Sequence, residues 1–457
     1  MSASREFSKL FKLSSLLEIY AKYIKDSTAT GIDNCRAIVY EKDAKRDISA
    51  ALERINSDCY RFSQFKEKLI SKGANKPPRV LSIPTIRDRV ILKALSKFLA
   101  KLYPQAITEI PQVKINRVVE AVKSGGYGAF IKIDLKNFYP SIPHEQLLKI
   151  LKKKIRKKQI LALIQNAIRM PTVPKGGVIT SINDKGVPQG LSISNLLAEI
   201  YISDVDQHFY EDPSLHYTRY VDDILILCSK EDSEALYARA ISYLKSKLLE
   251  PHERDLIGSK TQVEPISKGF EYLGYSFKAG RISPKESSIK NFESKIASVL
   301  TAYKYKNEIS KNDADRIKAL DVCQWRLNLK LSGCIFQSKR LGWVFYFSQA
   351  DNTTCFRHID STVTSMLSRA GIKGKIKVKK VLKAYYEARR TDKSTHKYVV
   401  NFDTMSTVEK KEILLSYLGA NKVGKLSDAK IDSLFKMKLR DIIKELEQDT
   451  SQDSSSL

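Results

Sequence analysis

Three carboxylates are placed for metal chemistry. Asp222 and Asp223 are adjacent in Tyr217-Thr218-Arg219-Tyr220-Val221-Asp222-Asp223-Ile224-Leu225-Ile226-Leu227, between an aromatic-rich run and a purely aliphatic one. Both flanks have the composition of short strands, which puts the acidic pair at a hairpin tip. Like charges repel there, and withdrawing either carboxylate from water is costly. A divalent cation relieves both penalties, and hard cations such as Mg²⁺ take one or two carboxylates together with substrate phosphates. A third carboxylate, Asp134, ends the alternating run Phe130-Ile131-Lys132-Ile133-Asp134. That alternation predicts a half-buried strand with Ile131 and Ile133 on one face and Asp134 on the other. The three together can hold two metal ions about 3.5–4 Å apart, the clamp for in-line phosphoryl displacement. The plainer reading of an isolated Asp-Asp pair is a solvated turn, and the context of Asp134 weighs against it.

The Tyr-x-Asp-Asp of Tyr220–Asp223 and the Asp-x₄-Tyr of Asp134–Tyr139 resemble the palm motifs of reverse transcriptases. Further elements stand in that family's order. Lys76-Pro77-Pro78-Arg79-Val80-Leu81-Ser82-Ile83-Pro84-Thr85-Ile86-Arg87-Asp88-Arg89 is a proline-bounded extended segment delivering fixed cations, and guanidinium groups match phosphate bidentately. It resembles the fingers segment that covers the incoming triphosphate, which implies triphosphate or template contact for Arg79, Arg87 and Arg89. The alternative for any one of them is a structural ion pair with Asp88. Gly186-Val187-Pro188-Gln189-Gly190 leads into an apolar helix, Leu196 to Val205, with Ser192 or Ser194 available as its cap. The family's Pro-Gln-Gly element matches at Pro188, Gln189 and Gly190, implying that Gln189 touches the nucleotide while Gly190 leaves room for template or base.

The resemblance also implies that Tyr139 stacks under the sugar and excludes a 2′-hydroxyl, so that dNTPs are the substrate. A core role beside Phe138 is its alternative. Ser259-Lys260-Thr261 resembles a later palm element, and Lys260 is the candidate general acid, against a plain reading as a solvated lysine. Phe270-Glu271-Tyr272-Leu273-Gly274-Tyr275-Ser276-Phe277 has the alternation of a hairpin and is similar to the family's primer grip, with Gly274 at its hinge. The implied catalytic set is Asp134, Asp222, Asp223 and Lys260. The implied metal set is Asp134, Leu135, Asp222 and Asp223, holding two Mg²⁺ ions, with Mn²⁺ as a substitute.

The elements that must position these residues divide the chain of 457 residues into two or three domains. Residues 1–75 read as a mainly helical region leading into the fingers. Ile48 to Phe65 is expected as one helix, and Gly31-Ile32-Asp33-Asn34 resembles a Gly-x-Asp-Gly element except at its fourth residue. Residues 76–284 read as fingers and palm. Within them the lysine-rich run from Lys149 to Lys158 is either a solvated helix face or a contact to nucleic acid, and the segment after it to about Ile182 reads as a connection. A charged amphipathic helix is expected from Glu231 to Leu249. Residues 285–457 read as a basic, α-helical thumb or C-terminal extension. Its aromatic blocks around Trp325 and Trp343 suit core packing or base stacking, and Gly371 to Lys380 is a basic segment able to track a backbone. The polar end, Gln448 to Leu457, is expected to be disordered. The fold class is thus α+β: a right-hand polymerase fingers–palm, an antiparallel sheet with helices, followed by an α-helical domain.

A formal net charge of +28 calls for an anionic partner, nucleic acid before an acidic membrane surface. No apolar run approaches the roughly 20 residues that span a bilayer, and the first residues lack the apolar core of a secretory signal. The cysteines are scattered with no C-x-x-C pair, which argues against a zinc site or disulfide framework and fits a reducing cytoplasm.

The partners implied are an RNA template, nascent DNA and dNTPs, with no membrane and with a homo-oligomer as an option. Outside the palm there is no His-Asn-His-type nuclease motif, zinc-ligand spacing or ribonuclease H carboxylate set. Tyr-Val-Asp-Asp, the Asn137-Phe138-Tyr139-Pro140-Ser141-Ile142 run and the helical C-terminal extension are most similar to the bacterial abortive-infection and defence-associated ("unknown group") reverse transcriptases. That likeness implies antiphage DNA synthesis, on a dedicated non-coding RNA or by untemplated or protein-primed extension. Two other readings stand beside it: a retron or group II intron-like enzyme copying its own RNA, and a catalytically idle RNA-binding scaffold that keeps the palm.

Overall fold

The computed structural model describes residues 2–450 apart from 72, 74–76, 178–180, 255–258, 391–397 and 425. It is mixed α+β and divides into two compact units, residues 1–110 with 125–265, and residues 111–124 with 266–454.

The first unit is built on two sheets. Its strands are β1 (Phe65–Ile70), β2 (Arg79–Ile83), β3 (Ala129–Lys136), β4 (Thr172–Val173), β5 (His216–Tyr220), β6 (Asp223–Cys228), β7 (Glu250–Pro251) and β8 (Gln262–Pro265). β1 pairs antiparallel with β2, with Ile70 opposite Arg79, and parallel with β4. The larger sheet runs β5-β6-β3, all antiparallel, and the far edge of β3 pairs with β8 over Ala129–Lys132 and with β7 over Leu135–Lys136.

The aliphatic pattern of β3 and β6 sets this register. Ile131 faces Ile226 and Ile133 faces Ile224 across the ladder, and all four side chains are buried. Each such burial stabilises by about 1.5–3 kcal/mol, and a slip of one residue would turn every one of them to the opposite face. β3 is buried on both faces rather than one: Phe130, Ile131, Ile133, Asp134 and Leu135 are all withdrawn from solvent. The Ser233–Ser246 helix packs against β3, and the Ser194–Tyr210 helix packs against β5.

The Ile86–Leu102 helix anchors the segment that carries β2. Thr85 accepts a hydrogen bond from the Asp88 amide as its N-cap, and Val90, Ile91, Leu92, Leu95, Phe98 and Leu99 are buried. Asp88 is completely buried in the first turn. It accepts from the Tyr60 hydroxyl at 2.6 Å, the Ser63 amide at 2.8 Å and the Arg87 guanidinium at 3.0 and 3.1 Å.

Several expectations are corrected. The helix expected from Ile48 to Phe65 runs from Ala44 to Asn56, and Phe65 opens β1. The stretch expected as a connection to about Ile182 contains a helix, Lys158–Arg169, and then β4. Ile160, Leu161, Leu163, Ile164, Ala167 and Ile168 have helical spacing and are buried, so the prolines and glycines mark only the segment's end. Neither Ser192 nor Ser194 caps the Ser194–Tyr210 helix; the Ser194 hydroxyl donates to the Pro188 carbonyl. Asn34 adopts a φ of +50°, a conformation that Asn tolerates better than most residues, so the departure from Gly-x-Asp-Gly keeps the backbone option of glycine.

The second unit contains β9 (Phe270–Tyr272), β10 (Tyr275–Lys278) and β11 (Arg281–Pro284) as one antiparallel sheet. The β9–β10 turn places Leu273 and Gly274 at φ of +45° and +81°, the pair of left-handed conformations that a tight hairpin needs. The rest is mainly helical, with a small sheet of β12 (Cys334–Phe336), β13 (Lys339–Leu341) and β14 (Val400–Asn401), ordered β13-β12-β14. Trp343 is buried and stacked on Phe292 at 4.5 Å, and Trp325 is packed against Phe402 and Tyr417. Both aromatic blocks therefore serve packing in this unit. The Lys379 ammonium, within the basic Gly371–Lys380 segment, donates to the Tyr398 carbonyl.

A helix covers Asp428–Thr450, so Gln448 to Thr450 are helical where disorder was expected; residues 451–457 and Lys76 lie outside the described residues. Among the described residues no helix is long and apolar enough to cross a membrane, and the six cysteines are free thiols.

The buried Asp88 network makes a stability prediction. Asp88→Ala leaves the Arg87 guanidinium without its carboxylate and is expected to cost about 3–5 kcal/mol, with a smaller loss for Asp88→Asn, measured by urea denaturation. A change below about 1 kcal/mol would show that the network is not holding this helix start.

Candidate active site

The register of the central sheet gathers the acidic residues. Asp134, near the end of β3, lies directly opposite Asp223, the first residue of β6, and Tyr220 on β5 lies opposite Asp223 on its other side. Asp222 sits in the two-residue turn between β5 and β6. Its neighbour Val221 has a φ of +58°. A β-branched residue rarely adopts that conformation, and holding one there costs about 1–3 kcal/mol. The Leu135 amide donates to the Asp222 carbonyl at 3.2 Å, tying the turn to β3. The Leu135 side chain is buried, so the only group it can offer a cation is its carbonyl.

Basic side chains of the protein stand against these carboxylates. The Lys260 ammonium lies 3.1 and 3.2 Å from the two Asp134 oxygens, and His252 Nε2 lies 3.2 Å from Asp134 Oδ2. His252 reaches this place because its amide donates to the Asp134 carbonyl, extending the β3–β7 pairing by one residue. Lys132, two residues before Asp134 on the same strand, places its ammonium 3.8 Å from Asp223 Oδ1. That oxygen is buried and accepts no hydrogen bond.

Burial and neighbouring charge push both acids of the turn upward. Desolvation, then the Asp134 charge, raises Asp222 to about 6. Desolvation raises Asp223 to about 7, with Lys132 pulling it down and Asp134 and Asp222 adding to the rise. Arg79, on β2, is among the cations that draw Asp222 back down, so the first arginine of the proline-bounded segment lies within electrostatic reach of the acidic turn.

The other two arginines of that segment are engaged by the protein. Arg87 bonds Asp88 and the Ser63 hydroxyl and lies over the Tyr60 ring at 5.4 Å. Arg89 donates to the Pro84 carbonyl, the Ser27 hydroxyl and the Ala29 carbonyl at 2.8–3.0 Å.

The Pro188-Gln189-Gly190 element is laid along β2. The Ser82 amide donates to the Gln189 carbonyl at 2.7 Å, and a Cβ at Gly190 would stand 3.0 Å from the Ser82 carbonyl oxygen at a φ of +101°. Only glycine fits there without strain. Gln189 Oε1 is buried without a hydrogen-bond partner, an acceptor held ready for a donor. Tyr139 and Phe138 are both buried; the Tyr139 hydroxyl donates to Asn195 Oδ1 at 3.0 Å, and Asn195 in turn donates to Thr108.

The donor set suits a hard divalent cation. Three carboxylates converge electrostatically, one buried oxygen lacks a partner, and two acids carry raised pKa values that a bound cation would reverse. As they stand, no three His, Cys, Asp or Glu side chains among the described residues are grouped closely enough to hold a metal ion, and Lys260 and His252 occupy the Asp134 oxygens.

Sequence reasoning missed His252 and Lys132. Lys132 was legible, because the alternation that aims Asp134 aims Lys132 the same way. His252 carries no local signal, since its place depends on a two-residue strand pairing with a distant one.

With the geometry described, the comparisons with known proteins can be placed. Residues 70–277 match the family model described as "Reverse transcriptase (RNA-dependent DNA polymerase)". The chain carries an RNA-dependent DNA polymerase domain over that stretch. It is similar to Protein YkfC of Escherichia coli (strain K12), 20% identical over 297 residues, covering 55% of this chain and 76% of that protein. It is also similar to the group II intron-encoded protein LtrA of Lactococcus lactis subsp. cremoris, 24% identical over 193 residues, covering 41% of this chain but only 30% of that protein. Among solved structures, apo telomerase from Candida tropicalis truncated from its C-terminal domain is 14% identical with a TM-score of 0.35, covering 49% of this chain and 55% of that one.

The raised acids predict a signed pH dependence. With folded values near 6 and 7 against 3.8 for the free side chain, the folded protein holds more protons than the unfolded chain between about pH 4 and 7. Metal-free stability contributed by these groups is therefore present below that window and lost as pH rises through it. Mg²⁺ competes with those protons, so its stabilising effect grows over the same range. Thermal melts from pH 5 to 8, with chelator and with Mg²⁺, check both statements; an Mg²⁺-induced rise in Tm as large at pH 5 as at pH 8 would contradict them.

Proposed function

We propose that the whole chain is an RNA-directed DNA polymerase that adds dNTPs to a primer hydroxyl, with Asp134, Asp222 and Asp223 holding two Mg²⁺ ions and Leu135 offering its carbonyl beside them. The observation that carries this reading is the register that sets Asp134 opposite Asp223 with Asp222 in the adjoining turn. Bound there, the cations would lower the pKa of the attacking hydroxyl and neutralise charge on the departing pyrophosphate.

The remaining roles fall to this chain's own groups. Arg79 adds a fixed positive charge close to Asp222 for the triphosphate, and Arg87 and Arg89 hold the segment that presents it. Gln189 meets the nucleotide with its unpartnered acceptor, and Gly190 keeps the backbone close to β2. Tyr139, fixed by Asn195, selects dNTPs by its bulk. The Lys260 ammonium, paired with Asp134 here, is the proton donor to pyrophosphate once a cation takes over the Asp134 oxygens.

The biological setting we propose is bacterial antiphage defence, in the cytoplasm, with a non-coding RNA template or by untemplated or protein-primed synthesis. It is supported by the motif likeness and by the net charge of +28, which suits a long anionic partner. The similarity to a group II intron-encoded protein favours a second reading, a retron or intron-like enzyme copying its own RNA.

The test is primer extension by purified protein with Mg²⁺ and dNTPs, beside sequencing of the nucleic acid that copurifies. Asp222→Asn is expected to lower incorporation by about 10³-fold or more, at the upper end of the loss from one preorganised electrostatic contact, with RNA binding within a few-fold of wild type. Near-normal incorporation by that variant would overturn the assignment. One enriched RNA with complementary DNA supports templated synthesis; DNA without an RNA match, or joined to the polypeptide, supports the untemplated or protein-primed mode.

A further inference from the structure

Arg219 is a buried cation that no role above uses. It lies on β5 three residues before Asp222, is 4% exposed, and has two carboxylate partners on one helix. Glu199 and Asp206 are seven residues apart on the Ser194–Tyr210 helix, two turns along one face. Arg219 Nε donates to Asp206 Oδ1 at 2.7 Å, and Nη2 donates to Asp206 Oδ2 at 2.5 Å and to Glu199 Oε2 at 2.6 Å. Nη1 donates to Glu199 Oε1 at 3.2 Å and to the Val221 carbonyl at 2.8 Å. All five N–H groups are thereby used, four to orient the guanidinium and the fifth to reach the turn. The Tyr217 hydroxyl adds a hydrogen bond to Asp206 Oδ1 at 2.7 Å, fixing that carboxylate from the other side.

The fifth bond falls at a strained point. The Val221 carbonyl belongs to the peptide unit that leads into Asp222, and Val221 is the residue with a φ of +58°. The peptide unit on the other side of Asp222 is held by the Leu135 amide. Both peptide planes flanking Asp222 are therefore fixed, one from the neighbouring strand and one from beneath by Arg219. Without the tie at Val221, a β-branched residue would relax from the left-handed region and turn the Asp222 side chain away from Asp134 and Asp223.

We propose that Arg219, oriented by Glu199 and Asp206, is a positioning residue that holds the Val221–Asp222 peptide in its strained conformation and so aims the Asp222 carboxylate. The Ser194–Tyr210 helix, which begins just after the Pro188-Gln189-Gly190 element, thereby acts on the acidic turn as well. A lysine cannot take the place of Arg219, because one ammonium cannot bridge two carboxylates and a carbonyl in a fixed plane. The proposal rests on Asp222 being a catalytic carboxylate, so Asp222→Asn is measured beside the variants.

The experiment is steady-state primer extension with Mg²⁺ titration, normalised to folded protein by thermal melting, for Arg219→Lys, Glu199→Gln and the double variant Arg219→Lys/Val221→Gly. Arg219→Lys is expected to lower kcat at least 10-fold and to raise the Mg²⁺ needed for half-maximal rate at least 3-fold, with KM for dNTP within 2-fold. Glu199→Gln, which keeps the Asp206 pair, is expected to show the same pattern at smaller size and serves alone if the lysine variant does not fold. Glycine at 221 adopts the turn without strain, so the double variant is expected to recover several-fold in kcat over Arg219→Lys without recovering its Tm. A lower Tm with unchanged kcat and Mg²⁺ dependence in the folded fraction would overturn the proposal and leave Arg219 a packing residue. Activity that survives Asp222→Asn would instead remove the catalytic reading beneath it, whatever Arg219 does.

Discussion

The arrangement depends on an aliphatic ladder that forces like charges together. Ile131 with Ile226 and Ile133 with Ile224 close β3 against β6, and the next rung in the same register is Asp134 with Asp223. Burial of the aliphatic side chains contributes several kcal/mol, more than the repulsion between two partly solvated carboxylates removes at an effective dielectric near 20. The fold therefore pre-assembles an anionic site against its own electrostatics, as a site that binds a cation must.

Around that site the protein supplies basic side chains. Lys260 and His252 sit on Asp134, and Lys132 leans on Asp223. They differ in how they are held. Lys132 projects from a central strand with both neighbours paired, whereas the Lys260 side chain is 58% exposed and enters beside β8. The exposed Lys260 is the partner that more readily yields the Asp134 oxygens to a divalent ion, because its ammonium regains water on leaving. Lys132, with a side chain 17% exposed, remains as a bias on Asp223. Asp134 thus carries the two exposed basic partners and Asp223 the more enclosed one.

Much of this could be read from the chain, because the informative patterns are short. The strand–Asp-Asp–strand run, the alternation ending at Asp134 and the glycine at position 190 each state their conformation within a few residues. What could not be read is what long-range pairing decides. β4 and β7 are two-residue strands whose partners lie far away in sequence, so the β1–β4 pairing and the place of His252 had no local trace. The helix Lys158–Arg169 was hidden by the glycines and prolines that follow it. Arg219, Glu199 and Asp206 look in sequence like ordinary charges on a strand and a helix, and only burial shows that they form one network.

The three arginines of the proline-bounded segment from Arg79 to Arg89 show the same division at the level of one motif. Their spacing gives each the chemistry to meet phosphate, yet Arg87 and Arg89 satisfy their donors within the fold and Arg79 is the one whose field reaches Asp222. A guanidinium bonded within the fold still carries its charge. The bonds of Arg87 and Arg89 to Ser63, Ser27 and Ala29 tie the segment to the rest of its unit. In a chain of net charge +28 that field is long-ranged and attracts any polyanion. Charge alone does not select among polyanions, so selection rests on directional groups, and Asp223 Oδ1 and Gln189 Oε1 are two buried oxygens of this unit that accept no hydrogen bond.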